Sequence, residues 1–219
     1  MLTDLKELAK SLAFRYTNLA APRYHYNLDP IQLTTLINEF ERLKDVQGAI
    51  VEIGVARGMT TNFLATHIVQ SGLEKSLTYY ALDTFESFLE KDIDYEVNSR
   101  SKIRAEFKGF KYNDFEVWKK NFREFPFVKA VKVDCAEFDY AAAAPIKLSL
   151  LDVDLYLPTA ATLPKLYDAT VPGGVILVDD VKKNNRYDGA YQAYVEFCKE
   201  RGITEEVIGE KCGIIRKDK

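Results

Sequence analysis

Histidine is nearly absent from this chain. Only His25 and His67 occur among 219 residues, and they share no spacing that would let them act together. Histidine-centred acid–base catalysis is therefore not expected. His25 sits between Tyr24 and Tyr26 in a loop and reads as a structural residue. Cysteine is almost as scarce: Cys135, Cys198 and Cys212 are far apart and match no metal-ligand pattern, as befits reduced cytoplasmic thiols. No apolar run approaches the length of a membrane span. The opening MLTDLKELAKSLAF is charged and amphipathic, without the apolar block of a signal peptide. A cytoplasmic protein without membrane contact is expected. There is no excess of basic charge either. Lys and Arg number 30 against 33 Asp and Glu, a net charge of −3, which argues against nucleic acid as a partner. Repeats and low-complexity linkers are missing too, and 47% hydrophobic residues suffice for one core, so residues 1–219 read as a single domain.

What the chain does have is acid at the ends of apolar strands. In KLSLLDVDLYLPTAATLPKLYDATVPGGVILVDDV, from Lys147 to Val181, Leu148–Leu151 runs into Asp152 and Asp154, and Val175–Val178 runs into Asp179 and Asp180. A helix over about 158–167 and a Pro172-Gly173-Gly174 turn are expected between them. Strand, helix, strand over some thirty residues is a βαβ unit, which makes the strands parallel. Both acidic clusters then leave the same carboxyl edge, where open α/β sheets bind ligands. Carboxylates crowded there call for protons or a cation, and a hard divalent ion such as Mg2+ suits oxygen donors. The plainer reading is that such acids cap helices, and Asp154 alone serves equally well as the start of the following helix.

The rest of the chain supports the same architecture. A first helix is expected over about 2–19, then a loop over 20–30, then a helix through Leu43 with Asp29 as cap and Pro30 in its first position. Residues 1–47 thus form an N-terminal helical cap. Ala49–Ile53 is a buried strand, and the turn GVARG leads into a helix over 59–70. With Gly54 and Gly58 after Glu52, this turn lacks the third glycine of a dinucleotide fingerprint and suits a ligand without a pyrophosphate. A second strand, 77–82, ends at Asp83, an acid placed to hold ribose hydroxyls, with helix capping as the alternative. The long stretch 85–125 is charged and aromatic, an inserted helical lid on length grounds. Arg100, Arg104 and Trp118 within it read as surface or packing residues. A third strand, 128–133, precedes Asp134 and Cys135, where an acid stands near a purine's amino group. A helix over 189–201 with Asp188 as cap and a closing hairpin over 203–216 complete a mostly parallel seven-stranded sheet, with helices on both faces and an antiparallel final hairpin.

The segments VEIGVARG, YALDTFESF, LLDVDLYLPT and PGGVILVDDV together resemble the macrocin O-methyltransferase family, over about residues 50–197. The resemblance implies a Rossmann-like class I methyltransferase fold, S-adenosyl-L-methionine as cofactor, Mg2+ and a sugar hydroxyl as acceptor. It implies that Glu52, Gly54 and Gly58 line the methionine and ribose part of the cofactor. Asp83 would hold the ribose, and Asp134 and Cys135 would border the adenine. Asp152, Asp179 and Asp180 would ligate the metal, with Asp152 also taking the acceptor's proton. Residues 1–30 and 88–114 carry no recognisable motif, and in such enzymes these regions shape the acceptor pocket. A catechol or phenol is the alternative acceptor. A nicotinamide-dependent oxidoreductase would explain Gly54 and Asp83 but leave the three metal-site aspartates without a task. A non-catalytic cofactor-binding module would leave them unexplained as well. A two-fold homodimer is the default oligomeric expectation.

Overall fold

A computed structural model describes residues 2–19, 21 and 23–218 of the chain. Ala20 and Pro22, in the expected 20–30 loop, lie outside the described residues. The chain opens with helix α1 (Leu2–Tyr16), then α2 (Pro30–Arg42). At the start of α2 the Asp29 N–H donates to Gln32 Oε1 at 2.8 Å, with Pro30 at the first helical position. Strand β1 (Ala49–Ile53), α3 (Met59–Gln70) and β2 (Tyr79–Asp83) follow. The inserted stretch folds as α4 (Glu90–Arg100), one 3-10 turn at Arg104–Glu106, and α5 (Phe115–Asn121). Then come β3 (Val128–Lys132), α6 (Tyr140–Ala143), β4 (Ile146–Leu151), α7 (Tyr156–Ala169) and β5 (Thr170–Val178). Helix α8 (Asp188–Arg201) and the hairpin β6 (Val207–Ile208) and β7 (Cys212–Arg216) end the fold.

The strands form one sheet in the order β3-β2-β1-β4-β5-β7-β6. The first five are parallel, and β7 runs antiparallel to β5 and to β6. Strand order reverses between β1 and β4, which opens a crevice at the carboxyl edge beside them. Helices cover both faces because the strands alternate. Ile50, Leu148, Leu150, Val175 and Leu177 pack with Leu36, Phe40 and Leu64 of α2 and α3 on one face. Val51, Ile53, Leu151, Ile176 and Val178 pack with Leu163, Leu166 and Phe197 of α7 and α8 on the other. A strand buried on both faces needs apolar residues at every position, and this is why these segments read as continuous runs.

Three local expectations need correction. Pro172-Gly173-Gly174 is not a turn but the beginning of β5. The Gly173 N–H donates to Lys217 O at 2.7 Å and the Lys217 N–H to Gly174 O at 3.0 Å, so the C-terminal chain draws the segment into the sheet. Asp188 is not a cap. Tyr187 holds that position, and the Asp188 carboxylate instead pairs with Arg100 and Lys102, each at 2.7 Å. Nor is the N-terminal segment a uniform cap: α2 buries Leu33, Leu36 and Phe40, whereas α1 exposes Leu5, Leu8 and Leu12. Arg100 and Trp118 of the inserted stretch take the packing role expected of them. Arg100 pairs with buried Glu96 at 2.7 Å, and Glu96 also accepts the Tyr156 N–H at 2.8 Å. These contacts pin α4 onto the first turns of α7 and α8. Trp118 is buried and stacks on Phe122, ring centroids 3.9 Å apart.

Candidate active site

A cavity of about 780 Å3 opens at the carboxyl edge, between the ends of β1, β2, β3, β4 and β5 and the inserted α4. Gly54, Asp83, Asp134, Cys135, Asp152, Asp179 and Asp180 all line it. Glu52 and Gly58 do not. Position 52 shares a sheet face with Ile50, so its side chain points into the layer of α2 and α3. There it is 2% exposed and accepts hydrogen bonds from Thr61 Oγ1 at 2.7 Å and Tyr79 OH at 2.5 Å. Burial, opposed by these two hydrogen bonds, raises its pKa to about 7. Gly58 caps α3 at φ 83°, and a Cβ there would stand 2.3 Å from the Phe122 ring, so packing explains that glycine. Gly54 is different. Its φ is 85°, and a Cβ would fall 1.7 Å from the Asp152 carbonyl oxygen, so only glycine lets the turn pass the end of β4.

Asp83 stands between this turn and the next loop. It accepts the Ala56 N–H at 2.9 Å on one carboxylate oxygen and the Phe85 N–H at 2.6 Å on the other. Thr84 Oγ1 also stands 3.5 Å from the second of these oxygens. No helix begins beside it, so it is not a cap: α4 starts at Glu90. Burial raises its pKa, and the amide hydrogen bonds restrain the rise. At the end of β3, Asp134 accepts the Ala136 N–H at 3.0 Å and pairs with Lys91 Nζ at 2.5 Å. The neighbouring Cys135 thiol is pushed up to about 11 by burial and is neutral at ordinary pH.

The floor is acidic. Asp152, Asp154, Asp179 and Asp180 meet at the ends of β4 and β5. Burial first, and mutual repulsion next, raise the pKa values of Asp152, Asp154 and Asp179. Asp154 does not cap α7, whose N-cap is Leu155; it faces Asp180 instead. Its φ of 64°, like the 57° of Asp180 and the 46° of Ala56, lies in the left-handed region. Strain of this kind persists where surrounding structure holds it, commonly at ligand sites. Two further side chains meet the floor from distant parts of the chain. Gln32 Nε2 donates to Asp179 Oδ1 at 2.6 Å. Lys211, from the β6–β7 turn, places Nζ 2.9 Å from Asp179 and 3.0 Å from Asp180. Burial opposes its charge, but the two aspartates outweigh that and raise its pKa.

The donor set suits a hard divalent ion: several buried carboxylates, of which Asp179 and Asp180 pair directly with Lys211 while Asp152 and Asp154 feel its charge without a direct ion pair among the described residues. Among the described residues, however, no three His, Cys, Asp or Glu side chains are drawn together as a ready-made metal cluster. Lys211 supplies the positive charge in this arrangement. Sequence reasoning missed Gln32, Asp92 and Lys211. A glutamine on the apolar face of α2 was a visible signal; the other two carry none. Above the floor, Phe88, Phe110 and Tyr187 form an aromatic wall beside Asn184, Asn185 and Arg186. His25 is exposed and does not line the cavity.

Comparison with known proteins adds to this geometry. Residues 30–215 match the family described as macrocin O-methyltransferase (TylF). No curated protein sequence matches the chain. Among solved structures it is similar to the O-methyltransferase NovP, with TM-score 0.70 and 20% identity over 90% of this chain and 84% of that one. It is similar to CalS11, a calicheamicin methyltransferase, with TM-score 0.71 and 17% identity over 98% and 91%. A Streptococcus mutans structure in complex with SAH gives TM-score 0.52 and 13% identity over 87% and 98%. At these identities the structural likenesses speak to the fold alone. No helix among the described residues is long and apolar enough to cross a membrane.

Proposed function

Because the chain belongs to the macrocin O-methyltransferase family, we propose that it transfers a methyl group from S-adenosylmethionine to a hydroxyl of a sugar or glycosylated small molecule, assisted by a divalent cation. One observation carries the reading: Gly54, Asp83, Asp134 and the four floor aspartates surround a single cavity of about 780 Å3, room for a cofactor and a small acceptor together.

S-adenosylmethionine brings the electrophilic methyl group; a divalent cation supplies Lewis acidity that lowers the acceptor hydroxyl's pKa. The protein's own residues align and exclude. The Gly54 turn and Asp83 receive the ribose side of the cofactor, and the end of β3 receives its base. Asp152, when ionised, is suited to take the hydroxyl proton as methyl transfer proceeds, because burial and the neighbouring aspartates raise its proton affinity. Asp152, Asp179 and Asp180 would hold the cation. Lys211 pairs with two of these carboxylates, so its ammonium and a divalent ion would compete for them. The aromatic wall suits the apolar face of a sugar ring, and Asn184, Asn185 and Arg186 suit its hydroxyls. The family's description and the printed name of one CalS11 structure, a TDP-rhamnose 3'-O-methyltransferase, support a sugar acceptor.

Calorimetric titration of S-adenosylhomocysteine into EDTA-treated protein, with and without Mg2+, tests the reading. Cofactor binding plus a separate Mg2+ heat is expected. Folded protein that binds no S-adenosylhomocysteine would overturn the methyltransferase assignment; cofactor binding with no metal heat, even with acceptor present, would remove the cation.

A further inference from the structure

Asp92 is a buried charge without a task in the mechanism above. It lies in the first turn of α4, lines the cavity and is 5% exposed. Its carboxylate has no hydrogen-bond or ion-pair partner among the described residues. Burial raises its pKa to about 6; Lys91 opposes the rise, and Asp134 and Glu96 add to it. A carboxylate that faces the cavity without a direct partner can accept a donor supplied by a ligand.

Its neighbours indicate which donor. Asp92 is close enough to Asp134 and Cys135 for their charges to be felt mutually, so it stands at the end of the cavity beyond β3. Asp134, the acid expected to meet a purine amino group, already accepts on both oxygens. One oxygen accepts the Ala136 N–H, and the other is held by Lys91. Lys91 and Asp92 are consecutive on α4. The same turn of helix thus occupies Asp134 and offers a free carboxylate beside it.

We propose that Asp92 is the residue that reads the cofactor's purine, accepting a hydrogen from the 6-amino group of adenine, while Asp134 serves to anchor α4 through Lys91. The inference rests on the S-adenosylmethionine reading above. It gives the inserted segment a share in cofactor recognition. An ionised carboxylate only accepts hydrogen bonds, so it welcomes an amine and repels the carbonyl of a 6-oxo purine.

The test compares S-adenosylhomocysteine with S-inosylhomocysteine by calorimetry on wild-type protein, Asp92→Asn and Asp134→Asn. The wild type should strongly prefer the adenosyl ligand. Asparagine can donate to the 6-oxo group as well as accept from the amine, so Asp92→Asn should shrink that preference by about tenfold or more. Asp134→Asn should leave the preference near the wild-type value even where overall affinity falls. An unchanged preference in Asp92→Asn, or collapse in Asp134→Asn instead, would overturn the proposal. Thermal unfolding in parallel reports whether each variant folds. Folded wild type binding neither ligand would sink the proposal together with the cofactor reading, an outcome distinct from binding without discrimination.

Discussion

Replacing Glu52 by Gln probes whether this acid is a buried structural residue or part of the ligand site. The side chain is 2% exposed and accepts the Thr61 and Tyr79 hydroxyls on one oxygen, which the Gln carbonyl oxygen can also do. Burial lifts its pKa from an ordinary 4.5 to about 7. Between those values the native state holds more protons than the unfolded state. Wild-type stability contributed by this site therefore falls as pH rises through the window, and the loss is complete above pH 7. The offset is 7 − 4.5 = 2.5 pKa steps, each about 1.36 kcal/mol, or about 3 kcal/mol in all. Most of it opens between pH 5 and pH 8. Urea denaturation of both proteins at these two pH values isolates the site, because every other titrating group cancels in the difference. Glu52→Gln should gain about 2–3 kcal/mol on the wild type from pH 5 to pH 8. A flat difference would show that Glu52 titrates near its ordinary value and is not sealed beneath α3. Since Glu52 does not line the cavity, S-adenosylhomocysteine affinity should barely move; a large loss would return it to the cofactor site.

Further outcomes follow from the floor and wall of the cavity. Asp179→Ala should abolish metal-stimulated methyl transfer and leave S-adenosylhomocysteine binding nearly intact by calorimetry; equal loss of both in folded protein would argue against a separate cation site. Lys211→Met should lower the melting temperature in EDTA, since an unpaired buried charge costs about 3 kcal/mol. Added Mn2+ should restore it, with tighter Mn2+ binding than wild type by electron paramagnetic resonance; unchanged Mn2+ affinity would refute the competition. Asp83→Ala should weaken S-adenosylhomocysteine by about tenfold, the worth of a hydrogen bond to a charged group. Unchanged affinity would take Asp83 out of the ribose site.

Much of the architecture follows from local patterning alone. Mostly apolar runs of four to six residues ending in Asp83, Asp152 and Asp179-Asp180, separated by helix-length segments, permit little besides parallel strands with acids at one edge. Parallelism is topological: a strand returning through a helix has one direction open to it. The bend after β1 was also visible, because Gly54 sits where any side chain would strike the end of β4. The errors came where a distant segment outcompeted a local preference. Pro172-Gly173-Gly174 has turn chemistry, yet hydrogen bonds to Lys217 extend it into the sheet. Asp188 has cap chemistry, yet Arg100 and Lys102 claim its carboxylate.

By itself, the sequence determined the parallel α/β sheet and the collection of carboxylates at its carboxyl edge, since both depend on short-range periodicity and chain direction. Only the tertiary structure decided what each carboxylate meets. Glu52 turns away from the cavity because the alternation of β1 aims it at Tyr79, which pairs from the next strand. Asp179 is held by Gln32 across 147 positions and by Lys211 across 32. Asp92 faces the cavity because an ion network around Glu96 fixes α4 over it. Charge interactions act through space, and the partners that set the ionisation and availability of these acids lie far apart along the chain.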